Sequence, residues 1–410
     1  MSTEDRIVPT EDGPVNIVRR HWLAAGAAGA AAGLSGWAPA SLAQGQAAKP
    51  LPPVASFKKA DAMIVHSANG VETRRDAFGT SGITDTDRLF LRNNLAAPNA
   101  SIVENPDAWK IQIEGVTSPA TLTVEDLKRM GLATVAMVLQ CSGNGRAFFK
   151  HKASGSQWAV GAAGNVLWSG VPVKDVVAAL GGVREGMRYM TSTGGETIPP
   201  GLDRNRVIVE RSVPWTAMED AILAWELNGA PLPLAHGGPL RVIIPGYYGV
   251  NNVKYVNRLA FTVDETSANI QKSGYRVRDI GKKGDPTQPS MWEMNLKSFV
   301  THPSANGEKL RAGLVQVTGV AFSGGSPVRN VEVSVDGGKT WLAAQFVGPH
   351  MGRYAWRQFV AQVNLPAGQY TITSRAIAAD GSTQPELRVE NERGYAHNGW
   401  RDHALTVTVA

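Results

Sequence analysis

The stretch that most constrains this chain is an apolar run that stops at a cysteine. Ala133 to Leu139 is aliphatic and β-branched, the length of one buried strand. Gln140-Cys141-Ser142-Gly143-Asn144-Gly145-Arg146 follows. Gly143, Asn144 and Gly145 all tolerate positive φ, so the strand is expected to end in a tight turn. A thiol would then stand at the C-terminal end of a buried strand, beside backbone N–H groups and the Arg146 guanidinium. Such neighbours favour a thiolate, and a thiolate is a soft metal ligand. Two other readings stand beside this one: a small buried hydrophobe, and a nucleophile working with a distant histidine.

Cys141 is the one cysteine in 410 residues. That count excludes an intramolecular disulfide and a cysteine-rich zinc or iron–sulfur site. No Cys-x-x-Cys-His is present, so no c-type haem attaches to this chain. The length suggests two or three domains.

The N-terminus reads as a targeting segment, residues 1–43. Arg19-Arg20 precede Trp22-Leu23 and the Ala/Gly-rich run Ala24 to Leu34, with Ser41-Leu42-Ala43 offering small cleavage residues. The run is too short and glycine-rich for a membrane span, and the paired arginines point to the twin-arginine route. The expected location is therefore the periplasm, with no membrane span in the mature chain. Without residues 1–43 the chain keeps 38 basic and 31 acidic residues, a net +7. That surplus suits anionic small substrates or an acidic protein partner; nucleic acid is not expected for an exported protein.

Residues 44–64 read as a leader, its first part Pro/Ala/Lys-rich and flexible. Asp87-Arg88-Leu89-Phe90-Leu91-Arg92-Asn93-Asn94 reads as a polar loop. Trp109 to Leu127 reads as an alternating strand, a turn and a helix start, with Thr123-Val124-Glu125-Asp126 as a capping box. Lys174 to Leu180 reads as a helix ended by Gly181-Gly182. His236, Arg241 and Lys254 flank an apolar strand, Val242 to Pro245. Residues 266–289 read as a linker. Beyond it, Leu314 to Val320, Val331 to Val335, Trp341 to Val347, Tyr354 to Val363 and Tyr370 to Ala376 alternate with period 2. Asp336-Gly337-Gly338-Lys339 is a hairpin turn, and the spacing suggests an immunoglobulin-like sandwich over residues 290–410.

The cysteine stretch resembles the molybdenum-ligating motif of the sulfite oxidase family, usually Cys-(Ala/Ser)-Gly-Asn-(Arg)-Arg. Other blocks are similar at matching places, so the resemblance covers roughly residues 65–410. It implies an α+β fold: a molybdopterin-binding domain over 65–265, then the sandwich as a dimerisation domain. It implies a molybdenum–molybdopterin cofactor with the Cys141 sulfur on the metal. Phe90, Leu91, Arg92, Asn93, Asn94, Asp203, His236, Arg241, Asn252, Val253 and Lys254 would hold the pterin and its phosphate. Arg92, Arg146, Trp158, Trp225 and Arg393 would join Cys141 around the substrate. Three positions depart from the family pattern: Asn94 stands for His, Gly145 for Arg and Trp225 for Tyr. The pattern is most similar to the sulfane-oxidising branch of the family. It implies oxidation of sulfane sulfur held on a carrier protein, with free sulfite as the alternative substrate. It also implies a homodimer that passes electrons to a c-type cytochrome subunit. From the residues alone, a cysteine hydrolase and a non-enzymatic binding protein stay open.

Overall fold

Local signals set most of the element boundaries. The computed structural model describes residues 49–410; the paired arginines and the apolar run after them lie outside the described residues. Strands β1 (Met63–Ser67), β2 (Gly70–Thr73) and β3 (Leu91–Arg92) form a small antiparallel sheet. Then come β4 (Lys110–Glu114), β5 (Ala120–Thr123) and helix α1 (Val124–Met130). Thr123 caps α1 as expected: its hydroxyl accepts from Asp126 N–H while the Asp126 carboxylate accepts from Thr123 N–H. After β6 (Ala133–Gln140) and β7 (Ala163–Pro172) comes helix α2 (Val173–Ala179), which ends before Gly181-Gly182. Next are β8 (Tyr189–Gly194), the short helix α3 (Arg204–Val207), β9 (Glu210–Pro214), β10 (Ile222–Leu227), β11 (Ala230–Pro231), β12 (Arg241–Ile243) and β13 (Val256–Thr262).

These strands make two mixed-order sheets. One runs β11-β10-β7-β6 with β12 also on β10; the other runs β5-β4-β13-β8-β9. Their shared core holds Ile111, Ile113, Leu223, Trp225, Val242 and Leu259, with α1 and α2 packed against it. The cysteine strand β6 is covered on both faces. Met137 and Leu139 enter a cluster with Phe90, Trp158 and Trp168, while Val138 enters another with Phe299, Phe322 and Trp356. That double burial is why its sequence is a continuous apolar run and not an alternation.

The C-terminal part is a β-sandwich of two antiparallel-rich sheets. In chain order its strands are β14 (Lys297–His302), β15 (Lys309–Leu310), β16 (Gly313–Phe322), β17 (Val328–Ser334), β18 (Leu342–Ala343), β19 (Gln345–Val347), β20 (Arg357–Leu365), β21 (Gly368–Ala378) and β22 (Leu405–Val409). The sheets are β14-β16-β20-β19 and β15-β22-β21-β17-β18. The expected single strand Trp341 to Val347 is two strands, because the chain changes sheets at Ala344: β18 pairs with β17 and β19 with β20. Among the described residues no helix is long and apolar enough to cross a membrane.

Two expected loose segments are packed. The leader, from residue 49, makes two 3-10 turns, Pro53–Ala55 and Ala60–Ala62, and buries Ala55 and Lys58. The linker residues 266–289 hold a π-helical turn, Ile270–Gly274, with Gln271 and Arg276 buried. Arg276 pairs with Glu265 and donates to the carbonyls of Gln271 and Gln288. Composition alone marks the first as a flexible leader and the second as a linker; a few anchoring side chains pack both.

Candidate cofactor site

β6 delivers Cys141 to the wall of a cleft. The turn after it is held by its own polar atoms. Cys141 N–H donates to Ala162 O at 2.9 Å, and Asn144 N–H donates back to Cys141 O at 2.9 Å. The Asn144 amide donates to Gln140 Oε1 at 3.1 Å and accepts from Ala162 N–H at 3.1 Å. Gly145 has φ +101°, and a Cβ there would lie 2.4–2.6 Å from the His397 ring. So Gly145 is required twice, by conformation and by space. The sandwich reaches this turn from behind: Lys297 Nζ donates to Asn144 O at 3.2 Å, and Ala396 N–H to Ser142 O at 3.0 Å.

Basic side chains from separate segments share the cleft wall. His236, Arg241 and Lys254 all line it; the first two are buried and Lys254 is half-buried. Arg241 donates to the carbonyls of Asn252 and His236, both at 2.9 Å. Lys254 Nζ donates to Ala235 O at 2.6 Å, to Arg92 O at 3.3 Å and to Asn93 Oδ1, tying the two segments together. Gly237 (φ +109°) lets Lys254 pass, since a Cβ there would sit 2.9 Å from its side chain. Burial pushes His236 and Lys254 well below their usual values, and the neighbouring cations push them further. Arg241 is pulled down to about 10 by burial. Glu196, also on the wall, is pushed up to about 7 by burial, opposed by its own backbone hydrogen bond and by Lys254.

The structure brings Phe90, Arg92, Asn93, Asn94, Cys141, His236, Arg241, Asn252, Val253 and Lys254 to this one cleft. The remaining expected residues lie elsewhere. Leu91 is buried beside Ala235. Asp203 is exposed and caps α3 by accepting from Asn205 N–H at 2.9 Å; it is a turn aspartate. Trp225 packs in the core between the two large sheets, because β10 is buried on both faces. Trp158 is fully buried behind Phe90. The Arg146 guanidinium is turned away from the cleft and donates to Arg393 O and Ser156 O, both at 2.9 Å. Arg393 thus meets the cysteine turn through its carbonyl, and its side chain does not line the cleft.

Sequence reading missed Lys58, Ser142, Glu196, Val209, Gly249, Tyr255 and Tyr275. Ser142 and Tyr255 adjoin motif residues and could have been taken with them. Nothing local marks Glu196, which follows β8, or Tyr275, which follows the π-helical turn Ile270–Gly274 of the linker.

The wall fits an anionic, polar, aromatic cofactor. Ser142 Oγ, Glu196 Oε2 and Tyr255 OH are buried on it with no partner among the described residues. A ligand carrying ring donors and a phosphate satisfies both these atoms and the cation cluster. Among the described residues no three His, Cys, Asp or Glu side chains converge on a metal position.

Behind the turn, His397 and His403 meet edge-on at 4.9 Å between ring centroids, and His397 Nε2 lies 2.8 Å from Asp402 Oδ2. Burial pulls His397 down to about 4 despite Asp402, and holds His403 well below its usual value. The unfolded chain protonates these rings below about pH 6.5, while the folded chain resists. Their stabilisation is full above that pH and is lost as pH falls from about 6.5 towards 4. The unfolding free energy from urea titrations is expected to drop across that window, by up to about 1.4 kcal/mol per pH unit for each histidine, and the urea midpoint with it. A flat midpoint between pH 7.5 and 5 would refute this.

Residues 97–270 match the oxidoreductase molybdopterin binding domain, and residues 288–408 match the Mo-co oxidoreductase dimerisation domain. The chain is 31% identical over 350 residues to mitochondrial sulfite oxidase of Macaca fascicularis, covering 80% of this chain and 62% of that protein. It is 26% identical over 357 residues to sulfite oxidase of Arabidopsis thaliana, covering 80% and 89%. The chain thus spans less than two thirds of the Macaca fascicularis protein's length. Among solved structures, the sulfane dehydrogenase SoxCD from Paracoccus pantotrophus shares the fold. Its TM-score is 0.68 at 24% identity, covering 92% of this chain and 98% of that one.

Proposed function

The chain belongs to the sulfite oxidase family of molybdopterin-domain oxidoreductases, and from that membership we propose that it oxidises a sulfur compound at a molybdenum centre held by Cys141. One observation carries the reading: the sole cysteine faces a cleft whose wall holds three basic side chains and three buried polar atoms with no partner among the described residues. A bound molybdenum pterin supplies two-electron oxidation with transfer of an oxygen atom derived from water. The chain's residues supply the rest. His236, Arg241 and Lys254 would hold the phosphate; Ser142, Glu196 and Tyr255 would take ring and linker polar atoms. A carboxyl balanced near neutrality, as in Glu196, can donate or accept, so it suits a pterin edge. Arg92 lines the cleft and its guanidinium has no partner among the described residues, which leaves it free to draw in an anionic sulfur group.

For the substrate we favour sulfane sulfur on a carrier protein. Gly145, where the family pattern has Arg, leaves no space for a side chain, and the Arg146 guanidinium is committed to carbonyls. Arg92 is then the one arginine open to substrate, a weak trap for a dianion such as sulfite. The relatives named sulfite oxidases keep free sulfite as the alternative. The chain has no haem motif, so the electron acceptor is a separate c-type cytochrome, and the sandwich is the dimer contact. Export folded to the periplasm rests on Arg19-Arg20, so the protein should stay in the cytoplasm of a strain lacking the twin-arginine translocase. Steady-state kinetics with a cytochrome c acceptor decides the substrate. kcat/KM for a carrier-bound persulfide is expected to exceed that for sulfite; efficient sulfite oxidation with an inert carrier would reverse the assignment.

A further inference from the structure

Two consecutive side chains of the N-terminal segment close on one ring of the cleft wall. Phe57 meets His236 edge-on at 5.9 Å between centroids, and Lys58 Nζ lies 2.7 Å from His236 Nε2. Lys58 is buried and also donates to the Thr86 carbonyl. The segment is seated by Ala55, Ala62 and Met63, which are buried with Val71, Leu91 and Ala235. Leu91 precedes Arg92 and Ala235 precedes His236, so the segment rests on both segments that Lys254 joins. The backbone of His236 is also held: its N–H donates to Pro233 O, and its carbonyl accepts from Arg241, each at 2.9 Å. That leaves Nδ1 as its one hydrogen-bonding atom with no partner among the described residues.

In the Lys58–His236 contact the amine is the stronger base by about four pH units in ordinary surroundings. Burial lowers Lys58 to about 7 and takes His236 well below its own usual value, so the order holds. The ammonium therefore donates and Nε2 accepts. A neutral imidazole that accepts at Nε2 carries its proton on Nδ1. We propose that Lys58 is a positioning residue that fixes His236 as the Nδ1–H tautomer, making the ring a hydrogen-bond donor to an anionic group in the cleft. Residues 51–62 are then a strap whose seating completes the anion-binding wall. That the anion is the cofactor phosphate rests on the proposed function; the tautomer does not.

The full chain, as purified, and its Lys58→Met and Lys58→Arg variants test this. Histidine 15N spectra, with His236 assigned through His236→Gln, report the tautomer; metal analysis and pterin fluorescence report cofactor per chain. Wild type is expected to show Nδ1–H. Lys58→Met should shift His236 towards Nε2–H and weaken cofactor retention about 10-fold, the scale of losing a group that orients a ligand-binding histidine. Lys58→Arg should restore both. A wild-type Nε2–H signal overturns the proposal whether or not Lys58→Met folds, as does Lys58→Met with the wild-type tautomer and full pterin. Wild type lacking molybdenum and pterin would sink the cofactor reading, while the tautomer signal would still judge Lys58.

Discussion

A Cys141→Ser protein is expected to fold and to lose turnover by more than about 100-fold, since a direct ligand matters more than the groups that orient ligands. The turn that carries Cys141 is shaped by backbone and Asn144 hydrogen bonds, none of which involves the sulfur. Serine is close in size, so the strand and turn survive. An alkoxide is a harder donor than a thiolate and a poor match for the same metal. The measurement is turnover per molybdenum, with circular dichroism as the check on folding. Wild-type turnover at full molybdenum content would remove Cys141 from the metal. Thiol-dependent hydrolysis by a molybdenum-free wild type would support the nucleophile reading instead.

An Arg241→Met protein is expected to lose about 2–4 kcal/mol of stability and most of its cofactor. Arg241 is 3% exposed and lies over the Trp168 ring at 5.1 Å. Methionine fills the space but donates nothing. The carbonyls of Asn252 and His236 would lose their Arg241 donors inside the wall, at about 1–3 kcal/mol each. Relief from burying a charge offsets part of this. Both carbonyls belong to segments that line the cleft, so the damage reaches binding as well as folding. Urea unfolding and pterin content give the two readouts. A stability within about 0.5 kcal/mol of wild type, with full pterin, would show that the guanidinium holds nothing.

What the sequence made legible follows the range of the interactions. α1 with its cap, the α2 boundary, β6 and the hairpin turns rest on neighbours within a few residues, and they were readable. The motif residues at the cleft were readable because each sits in a recognisable local block. Asp203 and Trp225 were not, because their blocks match while the side chains point to solvent and to the core. The buried leader and the packed linker were invisible for a related reason. Composition reports average polarity, but Ala55, Lys58, Gln271 and Arg276 are single anchors whose partners lie elsewhere in the chain. Glu196 reached the wall with no motif of its own, carried there by strand pairing.

The clasp on the cysteine turn also orders events in time. The hydrogen bond from Arg146 to Arg393 spans 247 residues, and that from Lys297 to Asn144 spans 153. Contacts so distant form late in folding, after the long intervening loops have closed. During synthesis the cysteine turn emerges first, yet it waits for partners translated 153 and 247 residues later. The cysteine therefore takes its final geometry only after Lys297 and Arg393 have emerged, and any metal fixed by that geometry is installed no earlier.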